Sequence, residues 1–99
     1  MDITLLYFED CPNWKAADER LTRLASDRPD LTVTHQLVET PEEAERTGFL
    51  GSPSIQVDGV DVFPEPGARV GLTCRRYLTP DGYEGAPTLE QLRAALTGA

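Results

Sequence analysis

The stretch that most constrains the fold is an apolar run from Ile3 to Phe8, followed closely by Cys11 and Pro12. Continuous runs of apolar and β-favouring residues are typical of strands buried on both faces, so this run predicts a central strand. Proline suits the first turn of a helix, which places Cys11 between that strand and a helix N-terminus. Free N–H groups and the positive end of a helix favour a thiolate, so any chemistry is expected to start at Cys11.

A helix and a second strand are predicted after Pro12. One apolar helix face is indicated by residues at spacings of three and four, namely Trp14, Ala17, Leu21 and Leu24. Apolar and polar residues then alternate over residues 31–37, which predicts a half-buried strand with His35 on its apolar row. Two strands joined by a helix form a right-handed crossover, so the two strands are expected to pair in parallel.

A second helix and a hairpin follow. Thr40 and Glu43 flank a proline in the capping-box pattern, which predicts a short helix ending at Gly48. Residues 54–57 and 60–63 are short β-favouring runs separated by an Asp-Gly pair, the strongest short-range signal for a hairpin. These two strands are therefore expected to be antiparallel.

The last third of the sequence is less regular. Residues 64–86 contain several proline and glycine breaks, and a further hairpin is predicted around residues 79–82. A loop of this length within a compact domain is often functional. Thr88 and Gln91 form another capping box that opens the last helix. The whole chain, residues 1–99, is predicted to be one α/β domain.

Charge and composition exclude several classes of partner. The formal net charge of -8 argues against nucleic-acid binding and against anionic membrane surfaces, because both need basic residues. The N-terminus lacks a basic segment and a long apolar segment, and no apolar run approaches about 18 residues. The sequence therefore predicts a cytoplasmic protein without a membrane span, and no cofactor is expected.

The order of predicted elements resembles that of the thioredoxin superfamily. Two motifs carry the resemblance: Phe8-Glu9-Asp10-Cys11-Pro12-Asn13-Trp14 is similar to the active-site turn, and Gly51-Ser52-Pro53-Ser54 is similar to the loop with a cis-proline. The resemblance implies a thioredoxin-like three-layer α/β fold. In that fold a four-stranded mixed sheet is flanked by helices, and here a long loop would be inserted before the last helix.

The resemblance also implies an active site. The Ser52–Pro53 bond would be cis and would face Cys11 across a groove. Residues expected to contact the substrate are Pro12, Trp14, Ser52 and Pro53. Redox-active members usually carry a second cysteine three residues after the first, where this chain has Trp14. Cys11 is therefore expected to act as a single thiol or to recruit Cys74 as the resolving thiol.

The second cysteine leaves alternatives open. Cys11 and Cys74 lie 63 positions apart, which is neither a disulfide framework nor a four-ligand zinc site. Both two unrelated thiols and a transient link fit the sequence. In a thioredoxin-like arrangement the loop before Cys74 is long enough to reach Cys11 and to cover it. Arg75 and Arg76 are expected either to bind an anionic low-molecular-weight thiol or to be solvated charges.

Three functions fit these observations. The first is thiol–disulfide exchange with a protein or a low-molecular-weight thiol or disulfide, with Cys11 as nucleophile and Cys74 as its resolving partner. The second is binding of a soft metal such as mercury or copper by the thiolates of Cys11 and Cys74. The third is a redox-inactive thioredoxin-like module that binds a protein partner, which Trp14 at the position of the second cysteine supports.

Overall fold

The computed structural model describes residues 1–65 and 67–97. Its elements, in chain order, are β1 (Asp2–Tyr7), α1 (Trp14–Asp27), β2 (Thr32–Leu37), α2 (Pro41–Thr47), β3 (Ser54–Val57), β4 (Val60–Asp61), β5 (Tyr77–Thr79), β6 (Gly82–Glu84) and α3 (Leu89–Thr97). Pro66 of the predicted irregular stretch, and Gly98 and Ala99 of the predicted domain, lie outside the described residues. Within the described ranges, no helix is long and apolar enough to cross a membrane.

The main sheet has four strands in the order β2-β1-β3-β4. β1 is parallel to β2 and antiparallel to β3, and β3 is antiparallel to β4. Leu5 in the middle of β1 lies between His35 on β2 and Ile55 on β3. The central position of the first strand, the parallel crossover and the first hairpin are therefore confirmed, and so is the four-stranded mixed sheet.

Side chains of β1 alternate between two apolar cores on opposite faces of the sheet. Ile3 and Leu5 pack with apolar residues of α1 and α3, whereas Leu6 belongs to a second cluster. The second cluster consists of Leu6, Val38, Ala44 and Phe49. Burying one such side chain contributes about 1.5–3 kcal/mol relative to its exposure. Helices therefore cover both faces, which explains the continuous apolar run in β1.

Helix ends follow the predicted capping signals. Thr40 Oγ1 accepts a hydrogen bond of 3.1 Å from the backbone N–H of Glu43, and Gly48 ends α2 with a φ of 72°. At α3, the backbone N–H of Gln91 donates to Thr88 Oγ1 over 3.1 Å, and Gln91 Oε1 accepts from the backbone N–H of Thr88 over 2.9 Å. The capping box of α3 is confirmed with both of its bonds, and at α2 the capping by Thr40 is confirmed.

Two local predictions are wrong. β4 ends at Asp61 rather than at residue 63, because the Asp61 carboxylate accepts a 2.7 Å hydrogen bond from the backbone N–H of Phe63 and turns the chain away. His35 is exposed rather than half-buried, because it lies on the edge strand β2, and its Nε2 is 2.7 Å from Asp18 Oδ1 on α1. The hairpin predicted around residues 79–82 is present as the separate two-stranded sheet of β5 and β6.

Candidate functional site

A disulfide bond joins Cys11 to Cys74, and their Cα atoms lie 5.8 Å apart. This separation is within the range that a disulfide requires. Cys11 follows β1 through a turn in which its backbone N–H donates to Phe8 O over 3.3 Å. Cys74 lies in the segment that connects β4 to β5. The sequence left open whether the two cysteines are unrelated thiols or are linked, and in the structure they are linked.

The two halves of the disulfide differ in exposure. Cys11 has 0% exposed surface, whereas Cys74 is exposed to solvent. The sulfur at the start of α1 is thus covered, and of the two cysteines it is Cys74 that presents surface to solvent.

The buried sulfur has two polar neighbours. Cys11 Sγ lies 3.7 Å from the carbonyl oxygen of Ser52 and 3.7 Å from Nδ2 of Asn13. Asn13 is the N-cap residue of α1, but its side chain makes no capping hydrogen bond and points to the sulfur instead. Gly85 makes room for it, because a Cβ at that position would lie 2.4 Å from Asn13 Cγ. After reduction, the amide N–H and the helix N-terminus favour negative charge on this sulfur, whereas its burial and the Ser52 carbonyl oxygen oppose it.

Asn13 was not singled out in the sequence, although it belongs to the Cys-Pro-Asn-Trp motif. Its position within two residues of Cys11 was the available signal. A side-chain amide at a helix start is ordinarily assigned to capping, which is why the motif alone did not indicate contact with the sulfur.

The Ser52–Pro53 peptide bond is cis, as the resemblance to thioredoxins implied. Ser52 and Pro53 are both fully buried. The Tyr77 hydroxyl donates a hydrogen bond to the carbonyl oxygen of Pro53, and burial raises the pKa of that hydroxyl. The loop at Pro53 is therefore held between the buried sulfur of Cys11 and the start of β5.

Residues 73–75, which we call the strap, run alongside Ser52. Ser52 N–H donates to Thr73 O over 2.7 Å, and Arg75 N–H donates to Ser52 O over 2.9 Å. Ser52 and Cys74 form a parallel β-bridge through these bonds. Both backbone polar groups of Ser52, a predicted substrate-binding residue, are therefore already bonded within the chain.

Arg75 is buried, with 3% exposed surface. Its guanidinium donates to the Asp61 carboxylate over 2.7 Å and to Glu65 over 3.3 Å. The remaining acceptors are Ser54 Oγ and the carbonyl oxygen of Phe63. Burial acts to lower the pKa of Arg75, but the hydrogen bond with Asp61 and the nearby negative charges outweigh it and raise the pKa. The expectation that Arg75 is a solvated charge is wrong, because the side chain is buried, whereas its binding of an anionic thiol stays a prediction.

The other predicted site residues lie around the cysteine pair. Pro12 is exposed directly after Cys11. Trp14 is half-buried and stacks on Tyr7 with ring centroids 4.3 Å apart. Arg76 is exposed, and its guanidinium lies 5.9 Å from the centre of the Tyr83 ring. Substrate contacts by these three residues stay predictions.

A cavity of about 350 Å³ opens beyond the carboxyl ends of β1 and β2. Its lining residues are Phe8, Glu9, Asp10, Leu37, Val38, Glu39 and Leu72. In α/β sheets this edge is the usual place for a ligand. Among the residues that the structure describes, no group of three or more His, Cys, Asp or Glu side chains could hold a metal ion. The soft-metal hypothesis concerns the sulfurs of Cys11 and Cys74, which are bonded to each other in this structure.

Comparisons with protein-family models, with curated proteins and with solved structures give no significant match.

Proposed function

We propose that the chain is a thioredoxin-like protein that carries out thiol–disulfide exchange through the Cys11–Cys74 pair. The observation that carries the proposal is a disulfide with one buried and one exposed half, next to a cis-proline. Exchange needs a sulfur that a thiol can reach and a second sulfur that leaves as a stabilised thiolate. Cys74 fits the first requirement by its exposure, and Cys11 fits the second through Asn13 and the start of α1.

The position of the pair supports a thioredoxin-like arrangement. Cys11 lies between a central strand and a helix, and Pro53 lies at the start of the neighbouring antiparallel strand. The difference from the usual dithiol motif lies in the second sulfur. Trp14 occupies the place of the second cysteine, and the partner sulfur comes from a segment 63 positions away.

Reversible reduction of the native protein tests the proposal. The oxidised protein would be equilibrated in buffers of β-mercaptoethanol and its disulfide, and the two thiols would be counted by alkylation and mass spectrometry. We expect the bridge to open and to re-form in native buffer, with circular dichroism unchanged. The single variants Cys11→Ser and Cys74→Ser, which cannot form the bridge, are the controls.

A different result would favour the redox-inactive alternative. If the bridge resisted thiols in native buffer and opened only after unfolding in urea, it would be a purely structural disulfide. The exchange proposal would then be wrong, and the fold would be a scaffold stabilised by one cross-link.

Binding of a soft metal is the second candidate, because the fold brings the Cα atoms of the two cysteines to 5.8 Å from each other. Two thiolates suit the linear coordination of Hg(II) or Cu(I). Titration of the reduced protein with Hg(II) should then consume both thiols in a one-to-one complex. A Cys74→Ser variant that bound Hg(II) with the same stoichiometry and affinity would reject this candidate.

A further inference from the structure

We propose that external thiols attack this disulfide at Cys74, that Cys11 is the leaving sulfur, and that the reacting partner is a low-molecular-weight thiol rather than an extended peptide. This inference rests on the exchange activity proposed above. It reverses the order of the two cysteines that the sequence suggested. It also assigns a positioning role to Arg75, which holds Cys74 in place.

The order of the sulfurs follows from access and from charge. Cys11 has 0% exposed surface, so a thiolate from solution reaches the exposed Cys74 instead. When Cys74 is attacked, the electrons of the broken bond pass to Cys11. The amide of Asn13, 3.7 Å from Cys11 Sγ, and the start of α1 stabilise the charge that develops there.

The class of partner follows from the strap. A peptide that docks by strand addition needs free backbone N–H and C=O groups along an edge. Next to Pro53 those groups belong to Ser52, and Thr73 and Arg75 already bond them over 2.7 and 2.9 Å. The strap thus occupies the position that a peptide substrate would take. A small thiol needs none of these groups and reaches Cys74 from solvent.

The strap is held by more than the disulfide. Arg75 pairs with Asp61 over 2.7 Å and with Glu65 over 3.3 Å, and it is almost fully buried. Breaking one partner of a buried ion pair leaves an uncompensated charge, so this anchor should persist after reduction. Cys74 then stays close to Cys11 in the dithiol form, and the strap stays bonded to the backbone groups of Ser52.

The reaction balances with the thiol as reductant. A first thiolate RS⁻ attacks Cys74 Sγ, an R–S–Cys74 bond forms, the Cys11–Cys74 bond breaks, and Cys11 leaves as thiolate. A second RS⁻ attacks the sulfur of the R group, RSSR forms, and Cys74 leaves as thiolate. The protein gains two electrons, the two thiols lose two, and each thiolate takes a proton from solvent. The reverse sequence reduces RSSR, with Cys74 attacking and Cys11 resolving.

The order of attack can be measured with single-cysteine variants. Cys11→Ser leaves only Cys74 and Cys74→Ser leaves only Cys11, so the two are a matched pair. Each would react with the disulfide of β-mercaptoethanol, first folded and then unfolded in urea to normalise the rate. We expect folded Cys74 to react about tenfold faster or more than folded Cys11. Equal rates, or a faster Cys11, would overturn the proposed order.

A trapping experiment on the native protein covers the case in which a variant fails to fold. Oxidised protein would be mixed with β-mercaptoethanol, quenched with iodoacetamide, digested and mapped by mass spectrometry. We expect the mixed disulfide on Cys74. An adduct mainly on Cys11 would overturn the order while leaving the exchange activity intact. Failure of the bridge to open at all would overturn both.

The class of partner can be tested with the Cys11→Ser variant. A hexapeptide with a central cysteine, blocked as its mixed disulfide with β-mercaptoethanol, would compete with the small disulfide. We expect the peptide to react no faster than the small disulfide. A rate gain of about tenfold or more for the peptide would show that its backbone is recognised, and would overturn this part of the inference.

The positioning role of Arg75 is tested by the equilibrium between the protein and β-mercaptoethanol. A variant that destabilises the oxidised and reduced forms equally leaves this equilibrium constant unchanged. A change in the constant therefore shows that Cys74 is held less well near Cys11, rather than that the fold as a whole is weaker. We expect Arg75→Met and the milder Asp61→Asn to make the bridge more easily reduced, by about tenfold and by a smaller factor, respectively. Arg23→Met, at an exposed arginine on α1 away from the cysteine pair, is the matched control. Wild-type constants for both Arg75→Met and Asp61→Asn would overturn the role of the anchor.

Discussion

Reduction of the Cys11–Cys74 bond should lower the stability of the fold by an amount that follows from the length of the chain it closes. The cysteines are separated by 63 positions. In the loop-entropy description, a cross-link over a loop of that length restricts the unfolded chain by about 4 kcal/mol at 25 °C. The effect lies mainly in the unfolded state, so it is expected even if the strap stays in place after reduction.

Urea unfolding of the oxidised and reduced protein measures this difference. With a slope of roughly 1–1.5 kcal/mol per molar urea, the midpoint of the reduced protein should lie roughly 3–4 M lower. The double variant Cys11→Ser with Cys74→Ser is the control, because a phosphine reductant should leave its midpoint unchanged.

A second measurement must agree with the first, because oxidation and folding form a thermodynamic cycle. A stability difference of about 4 kcal/mol corresponds to a reduction potential about 90 mV lower in the folded protein than in the urea-unfolded chain. If the oxidised and reduced forms unfolded within about 1 kcal/mol of each other, the loop-closure reasoning would be refuted for this protein.

Three further predictions concern the surroundings of the site. Burial raises the pKa of Tyr77 above its ordinary 10.0, so above about pH 10 the folded state keeps a proton that the unfolded chain loses. The free energy of unfolding should be unaffected by this group below about pH 10 and should fall above it by up to about 1.4 kcal/mol per pH unit. Urea unfolding of Tyr77→Phe should show a shallower decline with pH. Gly51 has a φ of +120°, and a Cβ there would lie 3.0 Å from Thr73 O, so Gly51→Ala should destabilise the protein by about 1–3 kcal/mol and make the bridge easier to reduce. Gly82→Ala, at a φ of +105° in open space, is the control and should leave the reducibility of the bridge unchanged. Equal reducibility of both variants would contradict this reasoning. Phe49→Ala should lower the free energy of unfolding by about 3–5 kcal/mol because the side chain is fully buried, and a loss below about 1 kcal/mol in urea unfolding would contradict the packing described for the second core.

Short-range patterns predicted most of the fold. The apolar run of β1 and the capping box at Thr40 depend on neighbours within a few residues, so they were readable without the structure. The pairing of Cys11 with Cys74 depends on the path of residues 62–73, which carry no strong pattern. The sequence therefore left that pairing as one alternative among several.

The burial of Arg75 could not be predicted because, in its segment, a charged residue faces inward and an apolar residue faces water. From residue 74 to residue 79 the side chains alternate strictly between exposed and buried, as in a strand. Here Arg75 and Tyr77 face inward, whereas Leu78 is 64% exposed. A hydrophobicity pattern would turn Arg75 outward and Leu78 inward. The inward arginine is stabilised by the carboxylates of Asp61 and Glu65 together with Ser54 Oγ and the carbonyl oxygen of Phe63.

Because of this alternation, the number of residues in the segment matters more to the fold than the type of residue at each position. Cys74 and Arg75 are adjacent, so their side chains lie on opposite faces of the same extended stretch. Insertion of one residue between them would change the phase of every side chain that follows, turning Arg75 toward water and leaving Asp61 without its counter-ion. Residues 67–70 should accept changes in length far better, since they are exposed and neither bond to Ser52 nor hold Arg75.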